Sequence, residues 1–175
     1  MKLPKEDHEK HAPKVLKFAL VTVSSSRYSA KLRGESYTDE SQELATDILE
    51  RSGHVVKVRD LVTDDVEMIR RKLLQLLNDP ELDVIIFIGG TGLSKKDVTI
   101  EAVKPFFEKE AEGFGELFRW LSFQQIGATA FLSRAVMGTV NEKAVICLPG
   151  SPHAVKLALE NFLPEFPHLI YVLRS

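Results

Sequence analysis

The chain has 175 residues, of which 44% are hydrophobic and 27% charged, proportions that suit one compact globular domain. A formal charge of −2 argues against a general nucleic-acid binder, and a single cysteine excludes an internal disulfide and fits a reducing cytoplasm. No apolar run approaches the roughly 18 residues needed to cross a bilayer, so no membrane partner is expected.

Met1 to Lys14 is charged, carries two prolines and lacks the apolar stretch of a secretory signal. It reads as a loose arm, with His8 and His11 as two solvated histidines, ahead of a single domain over residues 15–175. Phe18 to Val23 is a first buried strand ending in Ser24-Ser25-Ser26-Arg27, and Tyr28 to Thr38 reads as a loop. Asp39 opens a helix whose Leu44, Ala45, Ile48 and Leu49 share a face and which Gly53 stops. Val55 to Leu61 is a second strand. Thr63-Asp64-Asp65 caps a helix with Val66, Ile69, Leu73, Leu74 and Leu77 directed inward.

The strand Asp83 to Ile88 runs straight into Gly89-Gly90-Thr91-Gly92, then Lys95, Lys96, Asp97 and Thr99. An unbroken apolar run of this length reads as a strand buried on both faces, as in a parallel sheet. Glycines let the backbone approach a ligand closely and adopt φ > 0. The turn therefore suits an anion cradled by backbone N–H groups, with Asp97 placed for a metal ion riding on that anion. The string is not a P-loop, and the third glycine of a dinucleotide fingerprint is missing, since Lys95 stands in its place.

A helix follows Thr99 and is bent by Pro105. Another spans Glu112 to Phe123, with Phe114, Leu117, Phe118 and Leu121 on one side. Lys143 to Leu148 is a short apolar strand that meets Pro149-Gly150-Ser151-Pro152, with a proline at the first position of the next helix. Pro164 breaks that helix, and Leu169 to Leu173 closes the chain as a last one. Strands alternating with helices imply a three-layer α/β/α sandwich with a mostly parallel central sheet and right-handed crossovers.

Four segments in this order resemble one known family: Val21 to Ser26, Gly89 to Gly92 with Asp97-Val98-Thr99, Leu132 to Ala135 with Gly138, and Leu148 to Pro152. The chain is similar to the molybdopterin-binding family of molybdenum cofactor biosynthesis, the MoaB/MogA type that includes the gephyrin G domain. Ser151 in the Pro-Gly-Ser-Pro turn makes it most like the MoaB branch. The resemblance implies a cytoplasmic trimer or hexamer that transfers AMP from ATP to the terminal phosphate of molybdopterin and releases pyrophosphate. It also implies magnesium as cofactor, later insertion of molybdate (or tungstate in organisms that use it), and handover to a metal-insertion protein.

Residue by residue, the resemblance assigns metal binding and catalysis to Asp39 and Asp97. The bland reading of each is a helix cap. It assigns nucleotide or pterin contacts to Ser24, Ser25 and Ser26, to Gly89, Gly90, Thr91 and Gly92, and to Pro149, Gly150, Ser151 and Pro152. Many relatives have an aspartate where this chain has Ser25. Glu101 matches a family glutamate, although a first-turn acid is also favoured by the helix dipole. Glu116 and Arg119 lie on the helix that often lines the pterin pocket, and their spacing also lets them pair with each other. Arg134 either binds phosphate or stabilises a subunit contact. Trp120 reads as packing or interface, and Cys147 as an inert core thiol. Two other readings stand beside this one: a molybdopterin-binding protein without activity, and a nucleotide pyrophosphatase.

Overall fold

The computed structural model describes residues 11–175; the expected arm and His8 lie outside them as far as residue 10. His11 stacks on Tyr171 with ring centroids 6.3 Å apart. The chain runs β1 (Lys17–Val23), α1 (Ser25–Leu32), α2 (Glu40–Arg51), β2 (Val55–Val62), α3 (Val66–Leu77) and β3 (Val84–Ile88). Then follow α4 (Thr99–Val103), β4 (Lys109–Glu110), α5 (Glu112–Ile126), β5 (Val136–Val140), β6 (Lys143–Leu148), α6 (Pro152–Phe162) and α7 (Phe166–Leu173). Short 3-10 turns at Lys104–Phe106 and Leu163–Glu165 hold Pro105 and Pro164, each of which ends the α-helix before it.

Among the described residues the sheet has the order β2-β1-β3-β6-β5-β4. The first four of these strands are parallel, with Leu20 opposite Ile86 and Ile86 opposite Ile146. β5 runs antiparallel to β6 and carries β4 on its outer edge. The β5–β6 hairpin turns on Asn141 and Glu142, both with positive φ (49° and 59°), the backbone of a type I′ turn. From β1 the chain first builds outward to β2 and then crosses back to β3 on the other side. That reversal is the topological switch point at which open α/β sheets leave a crevice beyond their carboxyl ends.

Alternate residues of the central strands feed two cores. Leu20, Ile86, Ile146 and Leu148 pack against α2, α5, α6 and α7 through Leu49, Phe118, Val155 and Ile170. Val21, Ile85, Phe87 and Val145 pack against α3 and α4 through Ile69, Leu73 and Val103. A period of two along each strand thus gives the three layers. Side-chain N-caps set the entries of α2, α3 and α6: Asp39 accepts from Gln42 N, Asp65 from Met68 N and Ser151 from Ala154 N.

Several local expectations give way to tertiary context. Residues 25–32 are a helix rather than a loop. This helix buries none of its residues, so it has no apolar stripe for a pattern to reveal. Leu74 points to solvent and Leu76 is buried instead. On α5, Phe114 and Phe118 are buried while Leu117 is 53% exposed. The antiparallel edge hairpin is absent from the sequence reading because Asn-Glu carries no glycine to mark the turn.

At the amino end of the sheet, Glu81 receives hydrogen bonds from Lys17 (2.8 Å) and Lys57, which joins the α3–β3 connection to β1 and β2. The bonds from Lys17 and Lys57 hold its carboxyl down at about 2, against an ordinary 4.5. A carboxylate depressed in the folded state contributes stability that is complete above pH 4.5 and is lost as the pH falls towards 2. Glu81→Gln is therefore expected to be less stable than the parent at neutral pH, with the gap closing between those two limits; urea denaturation at stepped pH measures it.

Candidate functional site

Beyond the carboxyl ends of β1, β3 and β6 lies a cleft of about 600 Å³. One wall is the start of α1, Ser24 to Arg27, with Asp64 from the loop after β2. The floor is Gly89 to Gly92 with Lys96 and Asp97, and the rim opposite is Pro149, Gly150 and Ser151. Ile126, Thr129, Leu132, Ser133 and Arg134 close the remaining side.

The floor is shaped by close backbone contact. Gly89 has φ +106°, and a Cβ there would stand 2.5 Å from the Val23 carbonyl oxygen. A Cβ on Gly150 would stand 3.2 Å from the Gly89 Cα, so the two turns touch. Thr99 locks the first turn: its hydroxyl donates to Gly89 O (2.8 Å) and its N–H to Gly90 O (2.9 Å). Ser41 at the start of α2 locks the second, donating to Gly150 O at 2.7 Å.

Two carboxylates flank the floor. Asp97 Oδ2 accepts from Ser94 N (3.0 Å). Asp64 Oδ2 accepts from both the N–H and the hydroxyl of Ser25, each at 2.7 Å. The other oxygen of each accepts no hydrogen bond among the described residues. Arg27 and Lys96 bring positive charge to the same cleft, and α1 and α6 open there with their positive ends. A site with oxygen donors beside backbone N–H groups and cations can hold a polyphosphate together with a hard divalent ion.

The structure brings Ser24, Ser25, Ser26, the four residues Gly89 to Gly92, Asp97, Pro149, Gly150 and Ser151 into this one cleft. It does not bring Asp39 there. Asp39 is buried, accepts from Thr22 Oγ1 and Gln42 N, and lines a separate polar crevice of about 260 Å³ with Lys31, Arg59 and Asp60. Both of its oxygens are committed to holding α2 on β1. Glu116 and Arg119 also lie elsewhere, in a shallow depression with Glu110, Glu112 and Ala135. Pro152 is the first residue of α6 and stands behind the rim.

Glu101 does not line the cleft; it pairs with Arg134 (Nη1 to Oε1, 2.6 Å). Burial pushes its carboxyl up, but the Arg134 hydrogen bond and charge prevail and hold it below its ordinary range. Cys147 is buried in β6 and burial raises its thiol, which keeps it unreactive.

Asp64 is the cleft residue that sequence reasoning passed over. In Thr63-Asp64-Asp65 one acid is enough for the cap, and the cap is Asp65. The spare acid at the carboxyl end of a strand beside β1 was the available signal.

Gly89→Ala is expected to lower unfolding stability by about 2 kcal/mol or more, because strained φ alone costs ~1–3 kcal/mol and the new Cβ meets a backbone oxygen; chemical denaturation checks it.

A family model described as "Probable molybdopterin binding domain" matches residues 19–168. The chain is 41% identical over 169 residues to Molybdenum cofactor biosynthesis protein B of Bacillus cereus, across 95% of this chain and 96% of that protein. It is 37% identical over 172 residues to the protein of the same name from Bacillus subtilis, across 97% of each. Among solved structures, the tungsten cofactor synthesizing protein MoaB from Pyrococcus furiosus superposes with a TM-score of 0.82 at 34% identity, over 94% of this chain and 100% of that one. A crystal structure of Molybdenum cofactor biosynthesis protein B gives the same TM-score, 0.82, at 39% identity, over 93% and 98% of the two chains. Matched across nearly its whole length in both sequence and fold, the chain belongs to the molybdopterin-binding family of molybdenum cofactor biosynthesis proteins.

Proposed function

We propose that this protein acts in molybdenum cofactor biosynthesis as a molybdopterin adenylyltransferase. It binds molybdopterin and ATP in the cleft and joins AMP to the terminal phosphate of the pterin. The observation that carries the reading is the contact between the Gly89 and Gly150 turns, which places a glycine cradle and the amino end of α6 on one cleft with Asp64 and Asp97.

In this reaction an oxygen of the pterin phosphate attacks the α-phosphorus of ATP, the bond to the β-phosphate oxygen breaks, and pyrophosphate leaves. The attacking phosphate has a second pKa of about 6 and is largely dianionic at neutral pH, so no strong general base is required. The burden is to bring several anions together and hold them in line. Backbone N–H groups of Gly90, Thr91 and Gly92 and the amino ends of α1 and α6 offer fixed dipoles for that charge, while the Gly89 N–H is spent on Leu148 O at 2.9 Å. Arg27, whose Nε donates to Thr38 O at 2.8 Å, and Lys96 add positive charge at the edges. Ser151, at the N-cap of α6, has a hydroxyl on the rim for the pterin phosphate. Asp64 and Asp97 would hold magnesium, which when bound neutralises triphosphate charge. Asp64 takes the place beside Asp97 that sequence reading gave to Asp39, because Asp39 spends its oxygens on Thr22 and Gln42.

The chain also presents an apolar strip to solvent: Leu117, Trp120 and Phe123 on α5 and Phe131 beyond it, with Trp120 57% and Phe131 74% exposed. Apolar surface of this kind marks an interface. We assign it to assembly with further copies of the chain, as a trimer or hexamer, which would also build out the cleft on the side of Ile126 and Leu132. Handover to a metal-insertion protein and cytoplasmic residence accord with this role. No helix among the described residues is long and apolar enough to cross a membrane.

Incubation of the purified protein with molybdopterin, ATP and magnesium is expected to release pyrophosphate. Binding of molybdopterin without pyrophosphate would leave only a carrier. Asp97→Asn and Asp64→Asn are each expected to lower turnover by about 100-fold or more with the thermal midpoint nearly unchanged, since loss of charge stabilisation is worth several kcal/mol. Asp39→Ala is expected to cost ~1 kcal/mol of stability, as loss of a helix cap, with a smaller effect on turnover. Trp120→Glu is expected to reduce the assembly mass in light scattering towards that of one chain.

A further inference from the structure

Arg134 precedes β5, yet its side chain reaches the glycine turn after β3. Its Nε donates to Thr91 O at 2.8 Å and its Nη2 to Gly92 O at 2.7 Å. Its Nη1 donates to Glu101 Oε1 at 2.6 Å, and Nη2 approaches Glu101 Oε2 at 3.4 Å. Glu101 stands in α4, the helix that begins where the glycine loop ends. One planar guanidinium therefore ties together two consecutive carbonyls of the turn and the helix behind it.

The consequence follows from peptide geometry. The chain has no cis bonds among the described residues, so each C=O points opposite to the N–H of its own peptide unit. Pulling the Thr91 and Gly92 carbonyls onto Arg134 turns the N–H groups of Gly92 and Leu93 the other way. Glycine leaves this segment many other conformations, and a rigid fork removes them. The same bonds occupy four of the five guanidinium N–H donors, leaving one on Nη1.

Resting on the reading of this cleft as a triphosphate site, we propose that Arg134, braced by Glu101, is a positioning residue: it fixes the peptide orientation of the Gly89–Gly92 cradle instead of binding the anion itself. A lysine distinguishes the two roles. It keeps the charge that a direct phosphate contact needs and lacks the fork that two carbonyls need.

The test compares the full-length parent, Arg134→Lys and Glu101→Gln. ATP affinity is measured by calorimetry with magnesium present. Hydrogen exchange is measured without ligand at Ser94, Asp97 and Thr99, whose amides donate within the loop at 3.0, 3.0 and 2.9 Å. Arg134→Lys is expected to weaken ATP binding roughly tenfold, the scale of one charge-assisted bond, and to speed exchange at those three amides but not in β3. Glu101→Gln should shift both readouts the same way by less, and it decides the matter if Arg134→Lys fails to fold. Unchanged ATP affinity in both variants overturns the proposal, as does weakened affinity with unchanged exchange, which would make Arg134 a direct ligand. If the parent itself does not bind ATP, the triphosphate reading of the cleft falls, while unchanged exchange in the variants would overturn the brace separately.

Discussion

Gly89 and Gly150 leave the ends of two hydrogen-bonded parallel strands backbone against backbone: a Cβ on Gly150 would stand 3.2 Å from the Gly89 Cα, and one on Gly89 would strike the Val23 carbonyl oxygen at 2.5 Å. Everything in the cleft is arranged around that contact. It brings the turn after β3 against the turn after β6, so a loop rich in N–H donors and the amino end of α6 come to one place. The contact is held from outside as well as by its own packing. Thr99 bonds the carbonyls of Gly89 and Gly90, Ser41 bonds that of Gly150, and Arg134 bonds those of Thr91 and Gly92. The carbonyls of Gly89 to Gly92 are thus consumed by the scaffold, while the N–H groups of Gly90, Thr91 and Gly92 take no bond among the described residues.

The acidic residues near the switch point divide into two kinds. Asp39 is buried in a network in which Thr22 donates to it, Gln42 bridges Thr22, Leu20 O and Asp60 O, and Arg59 donates to Gln42. Such a network fixes the angle of α2 on the sheet, and so the position of Ser41 under the second turn. Asp64 and Asp97 are held by one oxygen each and keep the other open to the cleft. Both kinds follow strands or precede helices in sequence, and the difference between them is one of hydrogen-bond partners contributed by distant segments.

Ser25 links the departure from many relatives to this arrangement. Its N–H and hydroxyl both bond Asp64, and its hydroxyl also lies 2.9 Å from Thr63 Oγ1. A second carboxylate at this position would face Asp64 at the same range and repel it. Serine instead steadies Asp64 and leaves one fewer negative charge in the cleft. The cleft's cations are Arg27, Lys96 and Arg134, and Arg134 is already paired with Glu101.

Much of the molecule was legible from local pattern. The apolar run ending at Ile88 read as a central strand, Gly89 to Gly92 as a turn at its carboxyl end, and Pro149 to Pro152 as a helix start. These are effects of side-chain period and backbone freedom, which neighbours in sequence determine. The parts that were not legible depend on partners far along the chain. The short helix at residues 25–32 has no buried face to betray it. Asp39 and Asp64 look alike until Thr22 and Gln42 claim one and Ser25 holds the other at the cleft. Glu101 and Arg134 are 33 residues apart and meet only when β5 folds back beside β6. Sequence by itself determined the central parallel strands, the long helices between them and the place of the glycine turn. Tertiary structure alone decided which charges face it, because a charged side chain is directed by whichever distant hydrogen-bond partners folding delivers to it.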